Sequence, residues 1–291
     1  MNPTMQFPMR QLKEKDFPVL LREIPDKPSL LYIRGELPST DLKYLCVVGS
    51  RACSIYGKRM TQKLIAGLAS YPVAIISGLA LGTDSEAHRA ALDVGLPTVA
   101  VLPSSADDAS LYPSSNRALA SKILAMGGAL LSENKPPFKA AIYSFPARNR
   151  IMAGMSHATL IVEAGEKSGT LITARLALDY NREVLAVPHE LGRESGAGVN
   201  RLIREGATLV RDSNDILQPL GLVPSENLKQ MPLPADLTEG EVKVLHALTE
   251  GLVRDELIER ADISAQDANI ALSSLLIRGL IVERLGKIER V

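Results

Sequence analysis

Short apolar runs alternate with amphipathic stretches between residues 41 and 222, and this alternation dominates the chain. The runs cover residues 44–48, 73–76, 98–102, 129–131, 159–162, 184–187 and 208–210. They are three to five residues long and lack polar alternation, the pattern of strands buried on both faces. Residues 57–70, 83–94, 116–126, 171–180 and 199–205 lie between them and carry helical spacing. Regular β and α alternation predicts an α/β domain with a Rossmann-like, doubly wound, mostly parallel sheet. Sheets of this kind take ligands beyond the carboxyl ends of their strands, beside helix N-termini.

The flanks read differently. Residues 1–40 carry Pro3, Pro8, Pro18, Pro25, Pro28 and Pro38, which interrupt any long helix. They are expected to form an N-terminal arm, with a possible edge strand at 30–33. Residues 223–237 hold Pro224, Pro232 and Pro234 without periodicity and read as a linker. From 238 to 291 the pattern is three helices and a hairpin around Gly286, the order of a winged-helix domain. Thr238 with Glu241 three residues on makes a capping-box start.

Composition narrows the function classes. Of 291 residues, 46% are hydrophobic and 23% charged, so a filled core is expected and disorder is not. The 33 basic residues are balanced by 33 acidic ones, so a nucleic-acid binder would have to gather its cations locally. Aromatics reach only 4% with no Trp, so base stacking would rest on a few rings. Cys46 in an apolar run and Cys53 in the following loop make neither a disulfide framework nor a zinc site. No secretory signal or membrane-spanning run is visible, and a cytoplasmic protein is expected.

Four strand-to-helix turns carry candidate chemistry. Gly49-Ser50-Arg51 follows the first core run and reads either as an anion site of backbone N–H groups and a guanidinium or as a tight turn with a surface arginine. Ser77-Gly78 opens a turn running to Gly82, Thr83 and Asp84, which reads equally as an anion cradle or a capped helix start. His88, one turn on, reads as a packing residue. Tyr143-Ser144-Phe145-Pro146-Ala147-Arg148-Asn149-Arg150 joins rings to guanidiniums, suited to bases and phosphates or, alternatively, to an ion-paired arginine that organises the fold. Ser168-Gly169-Thr170 leads into a further helix and is either an anion site or a cap. Together the loops form a polar rim on one sheet edge. No metal spacing, Walker loop or Ser–His–Asp arrangement appears, and no cofactor is expected.

These blocks occur in the order seen in the DNA-processing protein A (DprA/Smf) family, which residues 30–220 resemble. The carriers include Gly49-Ser50-Arg51, Tyr112-Pro113 with Asn116, Phe145 through Ile151, Ser168 through Ala174, and Asn200-Arg201-Leu202-Ile203 ahead of Gly206. The resemblance implies a non-enzymatic protein that binds single-stranded DNA, dimerises and helps load the RecA recombinase in natural transformation. By position, Arg51 would contact phosphate, and the Ser77-Gly78 and Ser168-Gly169-Thr170 loops would support the pocket. Phe145, Arg148, Asn149 and Arg150 would form or brace the DNA-facing wall, with Lys139 a weaker candidate. Leu81 stands where a basic residue is frequent in the family.

The C-terminal segment departs from a DNA reader. From Thr238 on there are seven basic and ten acidic residues, a net of −3. Phosphate contacts dominate DNA affinity, so this module is expected to contact protein or to pack in cis. Two rival functions share the α/β reading: a nucleotide phosphoribohydrolase of the lysine-decarboxylase-like group, for which Gly169-Thr170 is the shared feature, and a small-nucleotide sensor.

Overall fold

A computed structural model describes residues 7–223, 237–248, 252–278, 280–284 and 287–290. The chain forms two units, Met1–Pro224 and Ser225–Val291.

The first unit holds a nine-stranded sheet in the order β1-β2-β6-β5-β4-β3-β7-β8-β9. Its strands are β1 (Arg10–Lys13), β2 (Leu30–Gly35), β3 (Lys43–Val48), β4 (Val73–Ser77), β5 (Thr98–Val101), β6 (Ala129–Ser132), β7 (Ala158–Ile161), β8 (Glu183–Ala186) and β9 (Thr208–Leu209). All pairings from β6 across to β9 are parallel. The helices are α1 (Val19–Glu23), α2 (Ile55–Ala66), α3 (Thr83–Asp93), α4 (Arg117–Ala125), α5 (Ser144–Met155), α6 (Thr170–Asp179), α7 (Glu194–Arg204) and α8 (Asn214–Leu217).

Both sheet faces are covered, which is why the strands read as unbroken apolar runs. Along β3, Leu45 and Val47 join one core with Leu64 and Ile65 of α2. Tyr44, Cys46 and Val48 point the other way and join Ile151 and Met152 of α5 and Ala174 of α6. Burying each large aliphatic side chain contributes about 1.5–3 kcal/mol, so the period-two alternation commits every residue of the strand.

The arm is more than a cover. Residues 30–33, expected at an edge, lie second from it: β2 pairs antiparallel with β6 on one side and with β1 on the other. The helix α5 was also unforeseen. Pro146 sits in its first turn, where a missing N–H costs little. Ile151 through Met155 are all buried, so no polar face marks the segment as helical.

The chain winds from β3 through β4 and β5 to β6, then crosses to the far side of β3 for β7. That reversal opens a crevice beyond the carboxyl ends of β3 and β7.

In the second unit α9 (Glu239–Ala247), α10 (Arg254–Ala261) and α11 (Ala265–Ile277) precede β10 (Ile281–Arg284) and β11 (Lys287–Arg290). The capping box is present: Glu241 N donates to Thr238 Oγ1 at 3.3 Å, and Thr238 N to Glu241 Oε2 at 2.7 Å. Val244, Leu245, Leu257, Leu272 and Leu275 fill a separate core. The expected linker (apart from its end residues 223 and 237) and Gly286 of the hairpin turn lie outside the described residues.

Candidate nucleic-acid interface

At the crevice lies a cleft of about 530 Å³, lined by all three residues of Gly49-Ser50-Arg51, by Phe145, Arg148 and Asn149, and by Ser168-Gly169-Thr170. Three turns that the sequence marks separately therefore meet in one place.

The Gly49–Arg51 turn is held from outside. Thr170 Oγ1 donates to Gly49 O at 3.0 Å, and Thr83 N to Ser50 O at 3.1 Å. Glu163, fully buried two residues beyond β7, accepts Ser54 N at 2.9 Å, while its Oε1 meets no partner among the described residues. Gly49 must lack a side chain, since a Cβ would stand 2.4 Å from Thr83 Oγ1. With the Gly49 and Ser50 carbonyls taken, the N–H groups of Gly49, Ser50 and Arg51 have no acceptor among the described residues. Successive backbone amides left unpaired in one turn suit an anion.

Arg51 is exposed, and no carboxylate among the described residues pairs with it. Its guanidinium lies 4.8 Å from the ring centroid of Phe145, a cation–π contact that leaves the N–H edge available. Phe145 in turn meets Tyr112 edge to face at 5.8 Å, and Phe138 meets Tyr143 at 6.4 Å. Tyr143 is 70% exposed, Ile142 91% and Tyr112 44%. Four of the eleven aromatic residues thus fall into two ring pairs, of which Phe145 lines the cleft.

The other two arginines are not free. Arg148 is 6% exposed; its Nη1 donates to Gly78 O at 2.5 Å and to Val101 O at 2.8 Å, and its Nε to Asn149 Oδ1 at 3.1 Å. Arg150 is held by both oxygens of Glu133 at 2.6 Å and by Asp26 O. Both guanidiniums are thus held by acceptors of the protein itself, and Arg148 still lines the cleft with its remaining surface. Asn149 lines the cleft, and its amide NH₂ has no protein partner among the described residues.

Ser77 and Gly78 are buried beneath the cleft. Ser77 Oγ donates to Val47 O at 2.7 Å, and a Cβ on Gly78 would collide with the Arg148 guanidinium. The anion position of their turn is filled from within: Asp84 Oδ2 accepts Gly78 N at 3.1 Å and Ala80 N at 3.4 Å. Burial pushes the Asp84 carboxyl up from its usual range, and Arg148 and the two amides pull it back. Burial likewise lowers Arg148, with Asp84 opposing. His88 Nδ1 lies 2.7 Å from Thr98 Oγ1, whose single proton goes to Ile75 O, so Nδ1 carries the hydrogen. Burial and then Arg148 push this histidine down to about 3.

Ser168 Oγ accepts Thr170 N at 3.2 Å from just ahead of Gly169, the N-cap, while Thr170 ties the helix to Gly49. Gly169 is exposed with open space around it. Lys139 is exposed on the loop before α5 and does not line the cleft. The sequence offers Asp84 as part of a capped helix start and not as the partner of Gly78 N, and it names Tyr143 but not the exposed Ile142 beside it; an apolar pair just before a Ser-Phe-Pro helix start is the available signal.

The sequence model of the DNA recombination-mediator protein A family matches residues 9–221. The chain belongs to that family. It is 42% identical over 204 residues to Protein Smf of Escherichia coli, covering 70% of this chain and 54% of that protein. To the DNA processing protein DprA of Streptococcus pneumoniae it is 39% identical, over 73% and 74% of the two chains. The crystal structure of the pneumococcal protein superposes with a TM-score of 0.67 at 37% identity, covering 74% of this chain and 75% of that one. The structure of DNA processing protein A from Helicobacter pylori, described for its single-stranded DNA binding mode, gives 0.64 at 30% identity over 74% and 96%. The chain spans just over half the length of the Smf proteins of E. coli and Synechocystis that it matches. Among the described residues no helix is long and apolar enough to cross a membrane.

Proposed function

We propose that the cleft grips single-stranded DNA and that the chain acts in DNA processing during natural transformation and recombination, delivering the strand to RecA. The observation that carries this reading is Arg51, an exposed guanidinium without a carboxylate, laid on Phe145 beside unbonded amides. Phosphates fit the guanidinium and amides. Bases fit the faces of Phe145, Tyr112 and Tyr143, each stack contributing about 1–3 kcal/mol. A duplex keeps its base faces stacked inside, so this surface favours a single strand.

The H. pylori relative's described binding mode supports the reading. In it, Asn149 and Lys139 add polar contacts, while Ser77, Gly78, Arg148, Arg150, Ser168 and Thr170 brace the wall. The working form is a cytoplasmic homodimer that needs no cofactor and performs no catalysis. The second unit, three helices and a hairpin beyond a 223–237 linker, is read as a winged helix that recruits protein, because its net charge is −3 from Thr238 on.

Fluorescence anisotropy with a labelled oligonucleotide at two salt concentrations tests the proposal. Binding that weakens with salt is expected, and no released base on incubation with nucleoside monophosphates. Binding of mononucleotides in preference to the oligonucleotide would overturn it.

A further inference from the structure

A second groove lies further out on the same sheet edge, beyond β8. It has a volume of about 420 Å³ and is lined by Arg193, Arg201 and Arg204, with Glu166, Glu194 and Leu191 among its other walls. All three arginines are exposed. Arg204 pairs with no carboxylate among the described residues, Arg201 reaches Glu205 at 3.5 Å, and Arg193 Nε lies 3.1 Å from Glu190. Leu191 is 88% exposed, an apolar side chain left largely in solvent.

Backbone contacts fix this groove relative to the cleft. Gly198 N of α7 donates to Ala164 O at 2.9 Å, and a Cβ on Gly198 would stand 2.6 Å from Gly165 O. Asn200 clamps the opposite loop, accepting His189 N at 3.0 Å and donating to His189 O at 2.9 Å. The wall between the two spaces is therefore the short turn after β7. Glu166 faces the outer groove, whereas Ser168 and Gly169 line the cleft. Two residues of chain span at most about 7.2 Å, so the spaces are neighbours. Lys167 stands on the crest between them, exposed and without an ion pair among the described residues.

We propose that the outer groove is a second phosphate subsite for the same DNA strand. The strand leaves the cleft past Gly169, crosses Lys167 and sets its next phosphates on Arg193, Arg201 and Arg204. Four cations follow one another along a path beside four carboxylates, Glu166 and Glu194 in the walls and Glu190 and Glu205 paired with Arg193 and Arg201. That balance favours a polyanion already tethered in the cleft over a free small anion, whose binding would not benefit from the first contact. The inference rests on the cleft being a single-strand site and adds a direction and a footprint to it.

The test uses the full chain with oligothymidylates of about 4 and about 16 nucleotides, the range of a single-strand site. In the triple variant Arg193→Ala, Arg201→Ala, Arg204→Ala, affinity for the short oligonucleotide should be unchanged. For the long one it should fall about tenfold, and the log–log salt slope should shrink by about two, three contacts at about 0.7 each. Lys167→Glu, a single exposed change, should also weaken only the long oligonucleotide and guards against misfolding of the triple variant. Equal losses on both lengths, or wild-type behaviour of both variants on the long one, would overturn the subsite. If the unaltered chain binds neither oligonucleotide, the cleft reading falls with it.

Discussion

Two turns meet beside the cleft, and their sequences look alike. Gly49-Ser50-Arg51 follows β3 and Ser77-Gly78-Leu79-Ala80 follows β4, each with a glycine, a serine and a helix to come. Their fates are opposite. The β4 turn has its amides taken by Asp84 and its carbonyl by Arg148, so it is sealed with its own anion and cation. The β3 turn has its carbonyls tied to Thr83 and Thr170 and leaves its amides and Arg51 to solvent. A glycine-rich turn after a strand is a ligand site only when no side chain of the protein already fills it.

The largest effect should come from emptying the sealed turn. Arg148→Ala leaves Gly78 O and Val101 O unpaired and strips the buried Asp84 carboxylate of its cation. Losses of about 3–5 kcal/mol are typical of such broken buried charges. Urea denaturation measures this directly, and a loss under about 1 kcal/mol would show that Arg148 is not the keystone of the turn.

Much of the contrast was out of reach in the sequence. The strands were legible because their apolar runs are unbroken, and the rim because glycines and hydroxyls cluster after them. Which arginine is buried was not, since Arg148 and Arg150 stand one residue apart from Asn149 in a segment whose helical face is masked by burial of residues 151–155. Asp84 reads locally as a helix-start acid. Only folding carries its carboxylate back to Gly78 and Ala80. Pairing was equally hidden: nothing in residues 30–33 says that β2 will lie against β6, a hundred residues away.

A smaller effect is expected at the open turn itself. Gly49→Ala drives a methyl against Thr83 at 2.4 Å, and overpacking of this kind costs about 1–3 kcal/mol. The same denaturation series should place Gly49→Ala below Arg148→Ala. The reverse order would mean that the open turn, rather than the sealed one, carries more of the fold.

Acid should discriminate next. His88 sits behind the sealed turn with its pKa pushed down to about 3, against about 6.5 in an unfolded chain. Its neutral form is favoured by folding, so the contribution is complete above pH 6.5 or so. It is lost as pH falls toward the folded value, at up to about 1.4 kcal/mol per unit. His88→Asn, whose amide can still donate to Thr98, should flatten that slope between neutral pH and about pH 4.5. Parallel slopes in the two proteins would place a proton on His88 in the folded state.

Arg51 should matter least to stability and most to binding. Its guanidinium is exposed and touches only a ring face, so Arg51→Ala should change unfolding free energy by no more than about 0.5 kcal/mol. Affinity for a single strand should nevertheless fall about tenfold, with the salt slope reduced by about 0.7 for the lost phosphate contact. Arg51→Lys keeps the charge but loses the planar fork and the stack on Phe145, so it should restore the slope and only part of the affinity. A destabilised but fully binding Arg51→Ala protein would invert the comparison, placing the structural role in the open turn and the ligand elsewhere.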